Sequence, residues 1–161
     1  MATLIILLSI IGGSILIDQI VKIIISSTMS VGETIPVIKD IFHFTYIRNE
    51  GAAFGMLSEH RWVFMIISTV ALIIMSVYLF KFCKERMLTK IGLALVIGGG
   101  IGNMIDRIFL GYVVDFIDCR FINFAVFNGA DSFVCVGAGI LMLALIRDLI
   151  KELKKEKEKA A

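Results

Sequence analysis

Four long apolar stretches dominate the pattern of hydrophobic and polar positions along the chain, at residues 4–25, 62–80, 91–109 and 127–146. A bilayer core of about 30 Å needs roughly 20 apolar residues of helix. The pattern therefore predicts an all-α membrane protein with four transmembrane helices. The first stretch lacks the basic start and small-residue cleavage site of a secretion signal, so we expect a permanent helix. With no repeat or linker, residues 1–161 are expected to form a single integral membrane domain.

A shorter alternation follows the first apolar stretch. Phe and Tyr alternate with His, Thr and Ile over residues 42–47, which is the two-residue period of a strand. Pro36 lies where an edge strand or a turn tolerates proline. A second run rich in β-branched and aromatic residues covers 112–117, and a weaker third covers 121–127. We expect a small extracytoplasmic β-sheet with connecting loops.

The composition agrees with a membrane protein and excludes other classes. Hydrophobic residues make up 58% of the chain and charged residues 19%, whereas a typical soluble domain is about 25% charged. This composition excludes a disordered or nucleic-acid-coating protein. The three cysteines, Cys83, Cys119 and Cys135, form an odd set without C-x-x-C spacing, unlike a disulfide framework or a zinc cluster. We expect no metal and no cofactor.

The basic residues predict how the chain is oriented. Lys and Arg are concentrated between the second and third apolar stretches and in the tail at 147–161, whereas the other connecting segments carry no basic excess. Short cytoplasmic segments of membrane proteins show this excess. Both termini are therefore expected in the cytoplasm, with the basic tail as a solvated end that lies against anionic lipid.

Polar residues within the predicted spans gather near the outer ends of the helices. An ionisable group inside a span costs about 2.5–3.5 kcal/mol on insertion scales and usually has a paired or functional role. The outer end of the bundle is therefore the candidate site. In chain order these residues are Asp18, Lys22, Asn103, Asp106, Arg107 and Asp131.

Several of the polar positions also have a structural interpretation. Asp18 and Lys22 have the i,i+4 spacing of a salt bridge on one helix face. Arg107 could extend to lipid phosphate instead of serving a site, and Asp118 is expected to be a solvated loop carboxylate. The glycine run at 98–102 contains a G-x-x-x-G pair, which favours close helix contact over phosphate binding.

Two carboxylates, Asp115 and Asp131, have apolar neighbours and no evident partner. Burial raises the pKa of a carboxyl group and a second carboxylate raises it further, so two in contact would share a proton. Such a pair can take a proton from water that attacks a peptide carbonyl and return one to the leaving amine. A helix N-cap role for either residue is the alternative. An ion path in a small channel and a non-catalytic scaffold remain open as other function classes.

Five motifs, in order, carry a family resemblance. They are DQIVK at 18–22, RNEGAAFG at 48–55, GGGIGNMIDR at 98–107, GYVVDFID at 111–118 and FNGADS at 127–132. With these motifs the chain resembles the bacterial lipoprotein signal peptidases (signal peptidase II). Gly129 departs from the family pattern, in which bulkier Val, Leu or Ile is usual.

The resemblance implies an aspartic endopeptidase of the bacterial cytoplasmic membrane, with four helices and a small outer sheet called the cradle. Such an enzyme removes signal peptides from prolipoproteins by cutting before the diacylglyceryl-modified cysteine, near the outer leaflet. Asp115 and Asp131 match the catalytic pair, and Asp18 with Lys22 match a structural pair. Binding or supporting roles are implied for Asn49, Gly51, Ala53, Asn103, Arg107, Asn128 and Ala130. The implied partners are prolipoprotein substrates, membrane lipid and globomycin-type peptide inhibitors; we expect a monomer and no nucleic acid.

Overall fold

Four apolar helices form the bundle: α1 (Ala2–Thr28), α2 (Arg61–Val77), α3 (Met87–Phe109) and α4 (Gly129–Ala160). The computed structural model describes residues 1–51, 61–84, 86–122 and 124–160. α2 continues through a π-helical turn, Tyr78–Phe82. Within the described ranges, four helical segments are long and apolar enough to cross a membrane, which confirms the predicted multi-pass architecture. α4 extends well beyond its apolar stretch, because the Lys- and Glu-rich tail favours helix.

The predicted sheet is present and has three antiparallel strands, β1 (Thr34–Ile38), β2 (Phe42–Asn49) and β3 (Val113–Cys119), in the order β1-β2-β3. Pro36 lies in the edge strand β1, as the sequence predicts. The register of β2 on β3 pairs Ile47 with Asp115 and shifts at a bulge between Phe44 and Ile47. This pairing brings the end of β2 beside Asp115.

Two expectations, one for Asp118 and one for the segment that follows β3, are wrong. The described residues of the run at 121–127 do not form a strand: Arg120–Ile122 forms a 3-10 turn, and among residues 124–127 the strand pairing is an isolated bridge of Phe127 with Ile117. Pairing stops there because α4 begins two residues later, at Gly129. Asp118 is not a solvated loop carboxylate either. It lies in β3, is 9% exposed, and accepts hydrogen bonds from Thr45 Oγ1 at 2.7 Å and Arg120 Nε at 3.1 Å.

An apolar cluster fixes the sheet to the end of α1. Ile25 of that helix and Met29, its C-cap residue, are buried against Tyr46 of β2 and against Val114 and Phe116 of β3. The hydrophobic side chains on one face of the sheet therefore determine where β3 lies relative to the helices. Asp115 lies between two of these buried positions.

Glycines bring α3 very close to its neighbours. A side chain at Gly98 would overlap Ser14 of α1, and one at Gly99 would overlap the backbone carbonyl of Ala130 in α4. A Cβ at Gly102 would lie 2.8 Å from an Asp18 carboxylate oxygen. The glycine run thus serves close helix contact, as its spacing predicts. It also brings the polar ends of α1, α3 and α4 together.

Candidate active site

Asp115 and Asp131 are brought to the same polar cluster from different elements. Asp115 belongs to β3 and is 2% exposed, and Asp131 lies in the first turn of α4. Asn128 donates a hydrogen bond to each of them, through its side chain to Asp115 and through its backbone N–H to Asp131. The two carboxylates are close enough for the charge of Asp131 to act on Asp115.

Both oxygens of Asp115 accept hydrogen bonds from amide side chains. Asn49 Nδ2 donates to Oδ2 at 2.9 Å and Asn128 Nδ2 donates to Oδ1 at 2.7 Å. Burial raises the pKa of Asp115 from 3.8 to about 6; the hydrogen bond from Asn49 lowers it and the charge of Asp131 raises it. The pKa of this carboxyl is therefore moved close to neutral pH, where it can exchange a proton.

Asp131 closes the first turn of α4 together with Asn128. The Asp131 backbone N–H donates to Asn128 Oδ1 at 2.9 Å, and the Asn128 backbone N–H donates to Asp131 Oδ2 at 3.2 Å. This is the reciprocal pattern of a capping box, in which Asn128 is the N-cap and Asp131 is the third helical residue. The other oxygen, Asp131 Oδ1, accepts a hydrogen bond from Asn103 Nδ2 at 2.8 Å. A capping role and a position in the cluster therefore coexist at Asp131.

Two asparagines connect the carboxylates into one network. Asn128 Nδ2 donates to Asn103 Oδ1 at 3.0 Å as well as to Asp115, and Lys22 Nζ donates to the same Asn103 oxygen at 3.0 Å. With its oxygen held by these two donors, Asn103 must direct its NH₂ group to Asp131. Lys22 of α1 thus orients an amide that contacts one of the candidate acids.

Lys22 is also the centre of a buried ion network. Its ammonium lies 2.8 Å from Asp18 Oδ2 and 3.0 Å from Asp106 Oδ2, and all three side chains are almost fully buried. Asp18 Oδ1 accepts the Ala130 backbone N–H at 2.8 Å, a favourable position for a negative charge at the N-terminus of α4. Asp106 Oδ2 accepts the Val114 backbone N–H at 3.1 Å. The network therefore joins α1, α3, β3 and α4.

The sequence placed Asp106 at the outer end of the bundle without assigning it a role, and it did not assign Gln19 to the site. Asp106 holds the backbone next to Asp115, and Gln19 Nε2 donates to Asp106 Oδ1 at 2.9 Å and to the Gly102 carbonyl at 3.1 Å. The signal for both was present, because each is a polar residue in a predicted span, and such residues usually have a buried partner. Their partners depend on how α1 packs against α3.

Arg107 points towards the protein. Its guanidinium donates to the Gly51 carbonyl at 3.4 Å and to the Asn103 carbonyl at 3.3 Å, and it interacts electrostatically with Asp131 and Asp115. The Gly51 N–H donates to Asn49 Oδ1 at 3.0 Å in a tight turn that follows β2. Ala53 lies outside the described residues. The carboxylates thus have a cation on one side and the turn at Gly51 near them.

The arrangement is suited to acid–base chemistry at a poorly hydrated site. Two carboxylates share hydrogen-bond donors, and the pKa of one is close to neutral. Such a pair can hold one proton, accept a second from a bound water and return it.

Comparison with known proteins identifies the family. The model described as signal peptidase (SPase) II matches residues 10–147. The lipoprotein signal peptidase of Halothermothrix orenii is 47% identical over 131 residues, covering 81% of this chain and 88% of that protein. That of Halalkalibacterium halodurans is 46% identical over 149 residues, covering 91% and 94%.

Solved structures agree with this assignment. A bacterial membrane enzyme determined at 2.3 Å superimposes with a TM-score of 0.84 at 34% identity, covering 89% of this chain and 88% of that one. A second, at 1.9 Å, gives a TM-score of 0.81 at 35% identity, covering 88% and 93%. A family match over most of the sequence and relatives above 40% identity together show that this chain belongs to the signal peptidase II family, the lipoprotein signal peptidases.

Proposed function

We propose that the chain is an aspartic endopeptidase in which Asp115 and Asp131 are the catalytic pair. Its substrates would be bacterial prolipoproteins, cut before the diacylglyceryl-modified cysteine. The observation that best supports this proposal is the hydrogen-bonded link from Asp115 through Asn128 to Asp131, in a cluster where Asp115 is buried. A structural role as a helix cap or as a salt-bridge partner would explain one carboxylate, but neither role requires a second carboxylate beside it.

The pKa of Asp115 suggests which carboxyl group gives a proton and which accepts one. With a pKa of about 6, Asp115 is protonated in roughly one molecule in ten at pH 7, and a bound apolar substrate that displaces water raises that fraction. We therefore assign the shared proton to Asp115, whose pKa burial raises, and we assign to Asp131 the acceptance of a proton from the attacking water.

The reaction then proceeds in two balanced steps. The water oxygen bonds to the scissile carbonyl carbon, Asp131 takes the water proton, and Asp115 gives its proton to the carbonyl oxygen, forming a neutral gem-diol. Next Asp131 gives its proton to the leaving nitrogen, the C–N bond breaks, and Asp115 recovers a proton as the carbonyl re-forms. Both carboxyl groups return to their starting state.

The other residues would position this pair. Asn49, Asn103 and Asn128 hold the carboxylate oxygens by the contacts described above. Arg107 offsets negative charge and holds the Gly51 carbonyl, while Ala130 is fully buried and binds Asp18 through its N–H. For Ala53, a substrate-binding role rests on the family resemblance alone. Asp18 and Lys22 would act structurally.

The membrane placement follows from the charge pattern. With both termini in the cytoplasm, the cluster lies near the outer leaflet of the cytoplasmic membrane, where the acyl chains of the substrate would hold the scissile bond near the headgroups. We further propose that globomycin-type cyclic peptides block this site and that the chain acts as a monomer.

Cleavage of a diacylglyceryl-modified precursor peptide, with the cut located by mass spectrometry, tests the proposal. Asp115→Asn and Asp131→Asn should each lower turnover by about 10²–10⁴-fold or more, because an amide cannot exchange the proton. Asp118→Asn is the matched control: it makes the same change three residues away in β3 and should leave turnover within a few-fold of the unmodified protein. Full turnover by either of the first two variants would refute the assignment. Cleavage elsewhere in the peptide would refute the proposed specificity.

A further inference from the structure

The basic residues at the end of the bundle away from the carboxylate pair come from two different elements. α3 and α4 are antiparallel, and close glycine contacts fix their register: Gly99 lies against Ala130, and Gly92 lies against Gly137 and Leu141. Moving towards the start of α3 therefore moves towards the end of α4. By this register, the residues that precede α3 lie beside α4 at about residues 144–148.

Four basic residues lie where the start of α3 meets this part of α4. Arg86 is the residue before α3, and Arg147, Lys151 and Lys155 follow one another at four-residue intervals on α4. Lys151 is repelled by Arg86, Arg147 and Lys155 and attracted by Asp148. The ion pairs found among residues 1–51, 61–84, 86–122 and 124–160 involve none of the four cations. Like charges held together in this way destabilise the fold unless an anion lies between them.

The surroundings indicate what kind of anion would bind. Immediately before the cations, α4 exposes large apolar side chains, with Leu145 71% and Ile146 46% exposed, and Leu88 on α3 is 41% exposed. The apolar part of α4 ends at residue 146, so Arg147 and Lys151 lie where the hydrocarbon gives way to headgroups. A phosphate with acyl chains attached would meet both the cations and the apolar surface, whereas a free phosphate would meet only the cations.

We propose that Arg86, Arg147 and Lys151 form a binding site for the headgroup of an anionic glycerophospholipid. Its acyl chains would lie along the exposed apolar residues of α3 and α4. Basic pockets between membrane helices bind lipid headgroups by the same electrostatics. The site lies at the opposite end of the bundle from the carboxylate pair. Lipid binding can therefore be measured without peptide cleavage, and its outcome is independent of the proposed catalytic function.

The test is native mass spectrometry of the full chain in non-ionic detergent, titrated with phosphatidylglycerol or with phosphatidylcholine of the same acyl chains. Near a membrane surface each basic residue contributes about fivefold in affinity. Phosphatidylglycerol should therefore bind in preference to phosphatidylcholine, and the variant R86Q/K151Q should bind it roughly 25-fold more weakly. The single variants R86Q and K151Q should each lose about fivefold.

The control variant K39Q/K157Q removes the same charge from exposed positions outside the site and should bind within about twofold of the unmodified protein. Equal loss in the control would overturn the proposal in favour of diffuse attraction to the tail. So would equal binding of the two lipids by the unmodified protein. Competition by inorganic phosphate at the same concentration as the lipid would show that the acyl chains contribute nothing, and would also overturn it.

Discussion

Replacing Asp115 by Asn should change how stability depends on pH. Burial raises the pKa of Asp115 from 3.8 to about 6 in the folded protein. Between these values the native state holds a proton that the unfolded chain has released, so the free energy of unfolding falls as pH rises. Above pH 6 the folded protein carries the full cost of a buried ionised carboxylate. An amide has no such dependence.

The difference between the two pKa values sets the size of the effect. At 1.36 kcal/mol for each factor of ten in the proton equilibrium, the step from 3.8 to about 6 corresponds to about 3 kcal/mol. Because the unfolded group is still partly protonated at pH 4 and the folded group at pH 7, Asp115→Asn should gain about 2.4 kcal/mol of stability relative to the unmodified protein between these two pH values. For a chain of this size, that is an apparent Tm change on the order of 5–10 °C. Any stability difference that comes from the hydrogen bonds of the asparagine is the same at both pH values and cancels in the comparison.

The assay is thermal unfolding in detergent, followed by intrinsic fluorescence at several pH values from 4 to 8. Asp118→Asn is the matched control with the opposite sign. Burial alone would raise the pKa of Asp118, but hydrogen bonds from Thr45 and Arg120 outweigh it and hold that pKa below its usual value. Asp118 therefore stabilises the fold at neutral pH, and this contribution is lost as pH falls. Parallel pH profiles for unmodified protein and Asp115→Asn would refute the reasoning.

Three further changes test the packing of the polar cluster and its surroundings by thermal unfolding. Lys22→Met leaves two buried carboxylates without their cation and should cost about 3–5 kcal/mol; an unchanged Tm would contradict the buried network. Neither nitrogen of the buried His43 has a hydrogen-bond partner within the described part of the chain, so His43→Phe should raise stability by about 1 kcal/mol, and a clear loss would point to an undetected partner. Gly99→Ala forces a methyl group against the Ala130 carbonyl and should destabilise by about 1–3 kcal/mol. Its control, Gly139→Ala, adds a methyl group in open space and should gain about 0.5–1 kcal/mol; equal effects would rule out the close contact.

The sequence was sufficient for features that depend on local pattern. The four spans follow from length and hydropathy, and the edge position of Pro36 follows from its missing N–H. Close contact at the glycine run also follows from its spacing, although the partners Ser14 and Ala130 do not. In a hydrocarbon environment the helix must satisfy its own backbone hydrogen bonds, so a local pattern is enough to predict it.

Features that depend on tertiary register could not be predicted in this way. Asp118 has the composition of a loop carboxylate, but the pairing of β2 with β3 buries it beside Thr45. The run at 121–127 has strand composition, yet the start of α4 limits it to one bridge. Gln19 acquires a role only because α1 packs against Asp106 of α3. In each case the partner comes from a distant part of the chain.

The charge balance of the polar cluster explains why a proton should be held there. The cluster contains four carboxylates and two cations: Asp18, Asp106, Asp115, Asp131, Lys22 and Arg107. Two negative charges remain uncompensated when all six groups are ionised, and at low dielectric this excess is costly. One proton on the proposed pair halves the excess. Because Lys22 is held at contact distance by Asp18 and Asp106, we expect the proton on the proposed pair, Asp115 and Asp131. Within that pair, burial raises the pKa of Asp115 to about 6, and the charge of Asp131 also raises it.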